Sequence, residues 1–150
     1  MPLVLSEEQR MLRDTARDFL QSNAPIELLR KLRDEDNSAG YSEAVWQQMV
    51  DMGWPAIAID EAYGGLGFGF MGLGAMVEEC GRTLAGSPFF GSVILGASII
   101  SLGGSEEQKQ QYLPSIAAGQ SKLALAHEET HHHTPRGVAL SATVDGDGFV

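Results

Sequence analysis

The chain has 150 residues, of which 43% are hydrophobic and 20% charged, a composition typical of one soluble globular domain. Its net charge of −10 argues against nucleic acid and anionic membrane surfaces as partners, because both require basic patches. A single cysteine excludes an internal disulfide framework. The N-terminus lacks a basic segment followed by an apolar one, and no apolar run approaches the ~18 residues of a membrane span. We therefore predict a cytoplasmic protein.

Three amphipathic helices are predicted in the first third of the chain. Ser6 and Gln9 have the spacing of a capping box, which opens the first helix, and Pro25 lies at the start of the second. Ser42 is placed to cap the third helix, and Gly53 to end it. The apolar residues that recur with helical period and are expected to face the core are Met11, Leu12, Ala16, Phe19, Leu20, Ile26, Leu28, Leu29, Leu32, Val45, Trp46, Met49 and Val50.

A glycine-rich segment follows at residues 54–74. Gly67, Gly69 and Gly72 satisfy G-x-G-x-x-G, the dinucleotide-binding fingerprint. That fingerprint needs a strand before it and, after the helix, a second strand ending in an acidic residue. Residues 86–90 open another helical stretch instead, so we interpret the match as a chance product of the glycine content.

Two apolar helices are predicted next, over residues 71–85 and 88–102. The second is apolar nearly all round, which is typical of a buried core helix. Its small residues, such as Gly91 and Gly96, permit close approach of a neighbouring backbone or a ligand. The residues expected to be buried in the first of the two are Met76, Val77, Cys80 and Leu84, with Cys80 as an inert thiol.

A second capping box, at Ser105 and Gln108, opens a last helix. We expect this helix to run to about Leu113 and to be interrupted by Pro114, because proline cannot donate the helical hydrogen bond. Residues 115–119 would then complete a turn.

The C-terminal residues are predicted to be β-structure. Apolar and polar residues alternate over 138–144, residues 145–148 have the composition of a hairpin turn, and residues 149–150 begin a returning strand. A strand that ends two residues after its turn leaves most of its partner unpaired. We therefore expect the chain to be a fragment of a longer protein.

Residues 121–136 contain all four histidines and include a literal H-E-x-x-H at residues 127–131. On a helix, His127 and His131 would share one face and hold zinc while Glu128 polarised a water molecule, as in a metalloprotease. However, Thr134 stands where the extended pattern has glycine, and no third ligand is evident. We predict no functional metal site; adventitious metal binding by the histidines and a solvated histidine-rich loop remain open.

Three segments resemble the N-terminal part of the acyl-CoA dehydrogenases. Residues 63–67 (YGGLG) are similar to that family's glycine turn, residues 77–82 (VEECGR) to the helix after it, and residues 104–114 (GSEEQKQQYLP), followed by Ala118 and Gly119, to its most recognisable helix. The resemblance covers essentially the whole chain. It implies a mostly α fold in which an N-terminal bundle of about six helices (1–120) is followed by the first strands of a truncated β-barrel domain (121–150).

The resemblance also implies a chemistry. Members of this family use FAD to desaturate an acyl-CoA thioester between its α and β carbons, and electron-transfer flavoprotein reoxidises the cofactor. The catalytic base would lie beyond Val150, so no catalytic residue is assigned in this chain, and a homo- or hetero-tetramer is expected.

Site residues are carried over from the resemblance. Residues 123–126 would form the first strand beside the flavin, and the T-E-P-x-A-G-S-D type sequence that ends this strand in the family would fall on residues 127–134. Of that sequence only Glu128 is kept, and residues 131–133 are histidines. The expected cofactor-binding residues are Leu125, Ala126 and His127, and the expected substrate-binding residues are Ser87, Pro88, Gly91, Leu95 and His133. A glycine at position 91 suggests a bulky or branched acyl chain, such as a steroid side chain.

A second interpretation follows from the same replacements. The chain would belong to a dehydrogenase-like structural subunit that no longer binds flavin and acts within a hetero-oligomeric acyl-CoA dehydrogenase.

Overall fold

The computed structural model describes residues 4–134 and 136–150, and this part of the chain is mostly helical, as predicted. Its α-helices are α1 (Glu7–Asn23), α2 (Ile26–Asp34), α3 (Glu43–Asp51), α4 (Gly69–Thr83), α5 (Ser98–Gly103) and α6 (Glu106–Ala117). A π-helix, Phe89–Ala97, runs directly into α5, and short 3₁₀ turns lie at Trp54–Ala56 and Glu61–Tyr63. Two strands, β1 (Val144–Asp145) and β2 (Gly148–Phe149), form an antiparallel hairpin.

The predicted helix caps are confirmed. In each capping box the serine hydroxyl accepts a hydrogen bond from a backbone amide, over 3.1 Å from Gln9 to Ser6 and over 3.3 Å from Gln108 to Ser105. The glutamine side chain accepts the reciprocal bond from the serine amide. Gly53 follows α3 with a φ of 77°, the left-handed conformation that ends a helix and that glycine adopts without strain.

Two adjoining apolar clusters form the core. The larger joins α1, α3, α4 and the π-helix, and at its centre the ring of Trp54 makes edge contacts with Phe19 and Phe89 at centroid distances of 5.4 and 5.7 Å. The smaller cluster packs α6 on the π-helix through Leu113, Ile116 and neighbouring residues. The core therefore holds the π-helix between the N-terminal helices and α6.

The glycine turn packs tightly on the preceding apolar run. The amides of Leu66 and Phe68 donate to the carbonyls of Ala56 and Ile57 over 2.8 and 2.9 Å. A Cβ on Gly65 would overlap the backbone of Ile59, so glycine is required there by the close approach of two backbones. The dinucleotide-binding geometry is not formed, because a 3₁₀ turn precedes the glycines.

An ion pair with a buried carboxylate joins α1 to α4. The carboxylate of Glu79 is 1% exposed and accepts two hydrogen bonds from the Arg17 guanidinium, at 2.7 and 3.0 Å. Arg82 approaches the same carboxylate at 3.3 Å. The hydrogen bond from Arg17 lowers the pKa of Glu79 below its ordinary value.

The predicted end of α6 was wrong. The helix continues through Pro114 to Ala117. Pro114 lies on the exposed face, while Leu113 and Ile116 are buried at 0% and 1% exposure. Burial of these two side chains holds the last turn in helical form although one backbone hydrogen bond is missing.

Four burial predictions in the helices also need correction. Met11 is 65% exposed, and Leu84 is 59% exposed because α4 ends at Thr83 and Leu84 caps it with a φ of 51°. The predicted helix at 88–102 buries only one face; Phe90, Ile99 and Leu102 are exposed. Cys80 is only partly buried.

The β-structure is shorter than predicted. The hairpin turn is confirmed, with Val144 opposite Phe149 and two further backbone hydrogen bonds between Thr143 and Val150. Residues 138–142 and 123–126 form no strand, so these two predictions are not met in the chain as it stands. The physical reason is that neither segment has a partner strand among the described residues.

None of the helices in residues 4–134 and 136–150 is long and apolar enough to cross a membrane.

Candidate functional site

The candidate site is the place where the chain leaves α6 and crosses the π-helix. We call residues 120–127 the crossing segment. The buried hydroxyl of Ser92 accepts a hydrogen bond from the Leu123 amide over 2.8 Å and donates one to the Leu123 carbonyl over 3.1 Å. One side chain of the π-helix thereby holds both polar backbone groups of one residue in the crossing segment.

Two glycines make this contact possible. A Cβ on Gly91 would lie 3.3 Å from the Leu123 carbonyl oxygen, and one on Gly96 would lie 2.7 Å from the Leu123 Cβ. Larger residues at either position would push the crossing segment away. The predicted close approach of a neighbouring backbone is confirmed, and the backbone is that of Leu123.

Lys122 ties the same segment to the N-terminal helices. Its ammonium group donates to the Tyr41 hydroxyl over 2.6 Å and to the Glu43 carboxylate over 3.1 Å, and it lies 5.2 Å from the centre of the Tyr41 ring. The hydrogen bond to Tyr41, followed by that to Glu43, raises the pKa of Lys122. The crossing segment is therefore held by Ser92 of the π-helix and, through Lys122, by Tyr41 and Glu43.

An apolar cleft opens between the end of α4 and the start of the π-helix. It has a volume of about 270 Å³ and is lined by Val77, Cys80, Gly81, Leu84, Ala85, Ser87, Phe89, Phe90 and Ile94. Burial raises the pKa of the Cys80 thiol to about 11, so the group stays protonated at neutral pH and acts as an apolar wall. A cleft with this lining can hold a hydrocarbon chain.

The predicted substrate-binding residues do not share one environment. Ser87 lines the apolar cleft, and Pro88 precedes the π-helix beside it. Gly91 lies under the Leu123 carbonyl, so the crossing segment occupies the space beside it. Leu95 is half-buried, whereas His133 is 80% exposed on its side chain and pairs with Glu128.

The predicted cofactor-binding residues are exposed. Leu125, Ala126 and His127 follow Leu123 in the chain and belong to no helix or strand. Beyond them the Glu129 carboxylate accepts hydrogen bonds from the amides of Ala139 and Leu140. The histidine-rich stretch is therefore folded back as a loop.

The helix that a zinc-protease interpretation requires is not formed. Residues 124–134 contain no helical turn, so His127 and His131 do not lie on one helical face. Across the described parts of the chain, 4–134 and 136–150, no three histidine, cysteine or acidic side chains come together as metal ligands.

Sequence analysis missed Ser92 and Lys122. A signal for Ser92 was available, because it is a single polar residue in the apolar run 88–97, and a buried polar group needs a partner. No comparable signal marks Lys122, whose partners lie about 80 residues earlier in the chain.

Comparisons with known proteins agree with this architecture. Residues 6–120 match the sequence profile described as "Acyl-CoA dehydrogenase, N-terminal domain". A probable acyl-CoA dehydrogenase of Bacillus subtilis (strain 168), YngJ, is 29% identical over the full chain, which spans 39% of that protein.

Two solved structures have similar folds. One is a variant of the Tcur3481-Tcur3483 steroid ACAD, with a TM-score of 0.84 and 30% identity; the match covers 95% of this chain and 38% of the matched chain. The other is the ChsE4-ChsE5 complex from Mycobacterium tuberculosis, with a TM-score of 0.83 and 25% identity; the match covers 99% of this chain and 39% of the matched chain. The chain thus spans about two fifths of the length of these proteins. The profile match over most of its length shows that it belongs to the acyl-CoA dehydrogenase family, a family of flavoprotein oxidoreductases.

Proposed function

We propose that this chain is the N-terminal part of an FAD-dependent acyl-CoA dehydrogenase, which desaturates an acyl-CoA thioester between its α and β carbons. The observation that carries the proposal is the family match over residues 6–120. In this proposal residues 1–120 are the N-terminal helical domain and residues 121–150 begin the central β-domain. Electron-transfer flavoprotein would be the electron acceptor, and the complete protein would be a cytoplasmic homo- or hetero-tetramer.

The residues of the crossing segment fit a flavin through their backbone. Leu125 is 40% exposed, and neither it nor Ala126 is committed to a helix or strand, so their amide and carbonyl groups can face a ring edge. The imidazole of His127 can donate to or accept from a polar edge of the ring. FAD, when bound, supplies the hydride acceptor.

The helical part would hold the acyl chain. The cleft beside Ser87 is lined almost wholly by apolar side chains, which exclude water from a bound hydrocarbon. Pro88 precedes the π-helix, and Gly91 and Leu95 lie on it. We propose these three residues as further substrate contacts together with His133. Proton removal from the α carbon falls to a base outside this chain.

We further propose a bulky or branched acyl chain, such as a steroid side chain. Support comes from the similarity to a protein described as a steroid ACAD. Turnover of the complete protein should be compared between steroid-type and straight medium-chain CoA thioesters. A preference for the straight chains contradicts this part of the proposal without affecting the reaction type.

A second candidate is a structural subunit that does not bind flavin. It is favoured by the three histidines at residues 131–133, where the family carries glycine and serine, and by the similarity to a chain of a two-protein complex. In this case catalysis would depend on a partner subunit.

Colour separates the two candidates. The complete protein, purified alone, should show the visible absorbance band of a bound flavin and should oxidise acyl-CoA in the presence of electron-transfer flavoprotein or a dye. A colourless protein that gains flavin only with a partner subunit supports the structural role. A protein that binds neither flavin nor acyl-CoA under either condition contradicts both.

A further inference from the structure

We propose that Ser92 is a positioning residue whose buried hydroxyl fixes the backbone of Leu123 and so sets where Leu125, Ala126 and His127 lie relative to the π-helix. As far as it concerns a flavin, the inference rests on the function proposed above. As a statement about the crossing segment, it rests on geometry alone.

The hydroxyl of Ser92 makes both of its hydrogen bonds to one residue. Ser92 is 1% exposed, and its oxygen accepts from the Leu123 amide while its proton goes to the Leu123 carbonyl. A hydroxyl has one proton to donate, so the second bond uses its whole donor capacity. Two bonds from one atom to both ends of a residue restrain sliding along the segment as well as rotation of that residue.

The surrounding packing is built for the same contact. Gly91 and Gly96 flank Ser92 on the π-helix, and the positions that their Cβ atoms would take lie 3.3 Å from the carbonyl oxygen and 2.7 Å from the Cβ of Leu123. A π-helix is rare and is frequently found at functional sites. In this protein the π-helix places Gly91 before Ser92 and Gly96 after it, and all three residues face Leu123.

The pair of hydrogen bonds between Ser92 and Leu123, which we call the clamp, limits where the following residues can lie. Leu123 is half-buried, whereas residues 124–134 are exposed throughout. Two residues span at most about 7 Å of backbone, so the fixed position of Leu123 limits where Leu125 can lie. Lys122 precedes the clamp and restrains the other end of the segment.

The test uses the complete protein and three variants. Ser92→Ala removes both hydrogen bonds and leaves two buried backbone groups without their partner, while Ser92→Cys keeps the volume but weakens both bonds. Ser101→Ala is the matched control, because Ser101 is a half-buried serine on α5 that does not bond to Leu123. Amide hydrogen exchange at residues 123–127 is the primary readout; flavin content, the flavin spectrum, kcat and KM are the secondary ones.

We expect Ser92→Ala to accelerate exchange at residues 123–127 by roughly tenfold or more, Ser92→Cys to have an intermediate effect, and Ser101→Ala to match the wild type. In a yellow wild type, Ser92→Ala should also lower flavin retention or kcat by about tenfold, with a smaller change in KM. If Ser92→Ala does not fold, the exchange rates of Ser92→Cys decide the matter.

Two results would overturn the inference. Unchanged exchange at residues 123–127 rejects the clamp, and faster exchange with unaltered flavin properties and kcat rejects its role toward the flavin. A colourless wild type is a failure of the proposed flavin function, and the exchange rates still decide whether Ser92 holds the segment.

Discussion

Glu79 is buried, but its two cationic partners are not. The Glu79 side chain is 1% exposed, whereas those of Arg17 and Arg82 are 37% and 57% exposed. If Glu79 is neutralised, both guanidinium groups can still turn to water. If Arg17 is removed, a buried carboxylate keeps only the longer contact to Arg82, and an uncompensated buried charge is costly.

We therefore predict that Arg17→Met destabilises the fold more than Glu79→Gln does. The arginine variant should lose more unfolding free energy than the glutamine variant, for which we expect a loss of about 1 kcal/mol. Urea denaturation at neutral pH measures both. Arg33→Met is the matched control and should change stability by less than about 0.5 kcal/mol, since Arg33 pairs with Asp34 on the surface at 72% exposure. A larger loss for Glu79→Gln contradicts the asymmetry.

The lowered pKa of the Glu79 carboxylate predicts that the fold loses unfolding free energy in acid. The pKa of Glu79 in the folded state is below its ordinary value of 4.5, mainly because Arg17 donates hydrogen bonds to it. Its contribution is therefore complete above that value and is lost as the pH falls through the folded-state pKa. The pKa of Glu43 is also lowered, by hydrogen bonds from Tyr41 and Lys122, so part of the acid effect belongs to that group.

Unfolding free energy should accordingly fall more steeply for the wild type than for Glu79→Gln as the pH drops from neutral to about 3. Glu43→Gln provides the comparison with an exposed carboxylate. Identical pH profiles for the wild type and Glu79→Gln would show that Glu79 does not titrate differently in the folded state.

At the scale of elements, the glycine turn depends on a close contact between backbones. Gly65 lies against the Ile59 carbonyl, whereas nothing lies near the place of a Cβ on Gly74, which is exposed in the interior of α4. Gly65→Ala should lower the stability by more than about 2 kcal/mol, because a Cβ there forces the turn off the apolar run. Gly74→Ala should raise it by about 0.5 kcal/mol by restricting the unfolded chain. Thermal or urea unfolding tests the pair, and equal effects would contradict the contact.

The sequence was most informative where structure depends on neighbours along the chain. The caps at Ser6 and Ser105 and the stop at Gly53 involve residues within three or four positions, and all are confirmed. The predicted end of α6 was wrong, because the burial of Leu113 and Ile116 depends on residues far from Pro114 in sequence. Propensity at one position does not contain that information.

The candidate site was less accessible to sequence analysis for the same reason. The predicted residues of the crossing segment came from a resemblance, and the side chains that hold the segment were missed. Ser92 is 31 residues from Leu123, and Lys122 is 81 residues from Tyr41. Such pairs become visible only when the fold brings them together, although a lone serine in an apolar helix indicated that a partner must exist.

At the scale of the whole molecule, the chain has two parts of very different packing. The buried core lies in the helical part, up to Ala117. From residue 124 to residue 150, every described residue is exposed, including Leu140 at 83% and Val144 at 70%. A segment that buries so little apolar surface has little local stability of its own.

Limited proteolysis of this chain should therefore begin in the second part. Arg136 is exposed in a loop, whereas most of the other trypsin sites lie on helices, and Lys122 is held by Tyr41 and Glu43. We expect the first cut after Arg136, roughly tenfold or more faster than any cut within α1–α6, and a remaining fragment that keeps its helical circular dichroism. Arg136→Gln should abolish the early cut without exposing another site. Early cleavage inside the helices would instead show that local stability is lowest before residue 120. That result would contradict a domain boundary at residue 120.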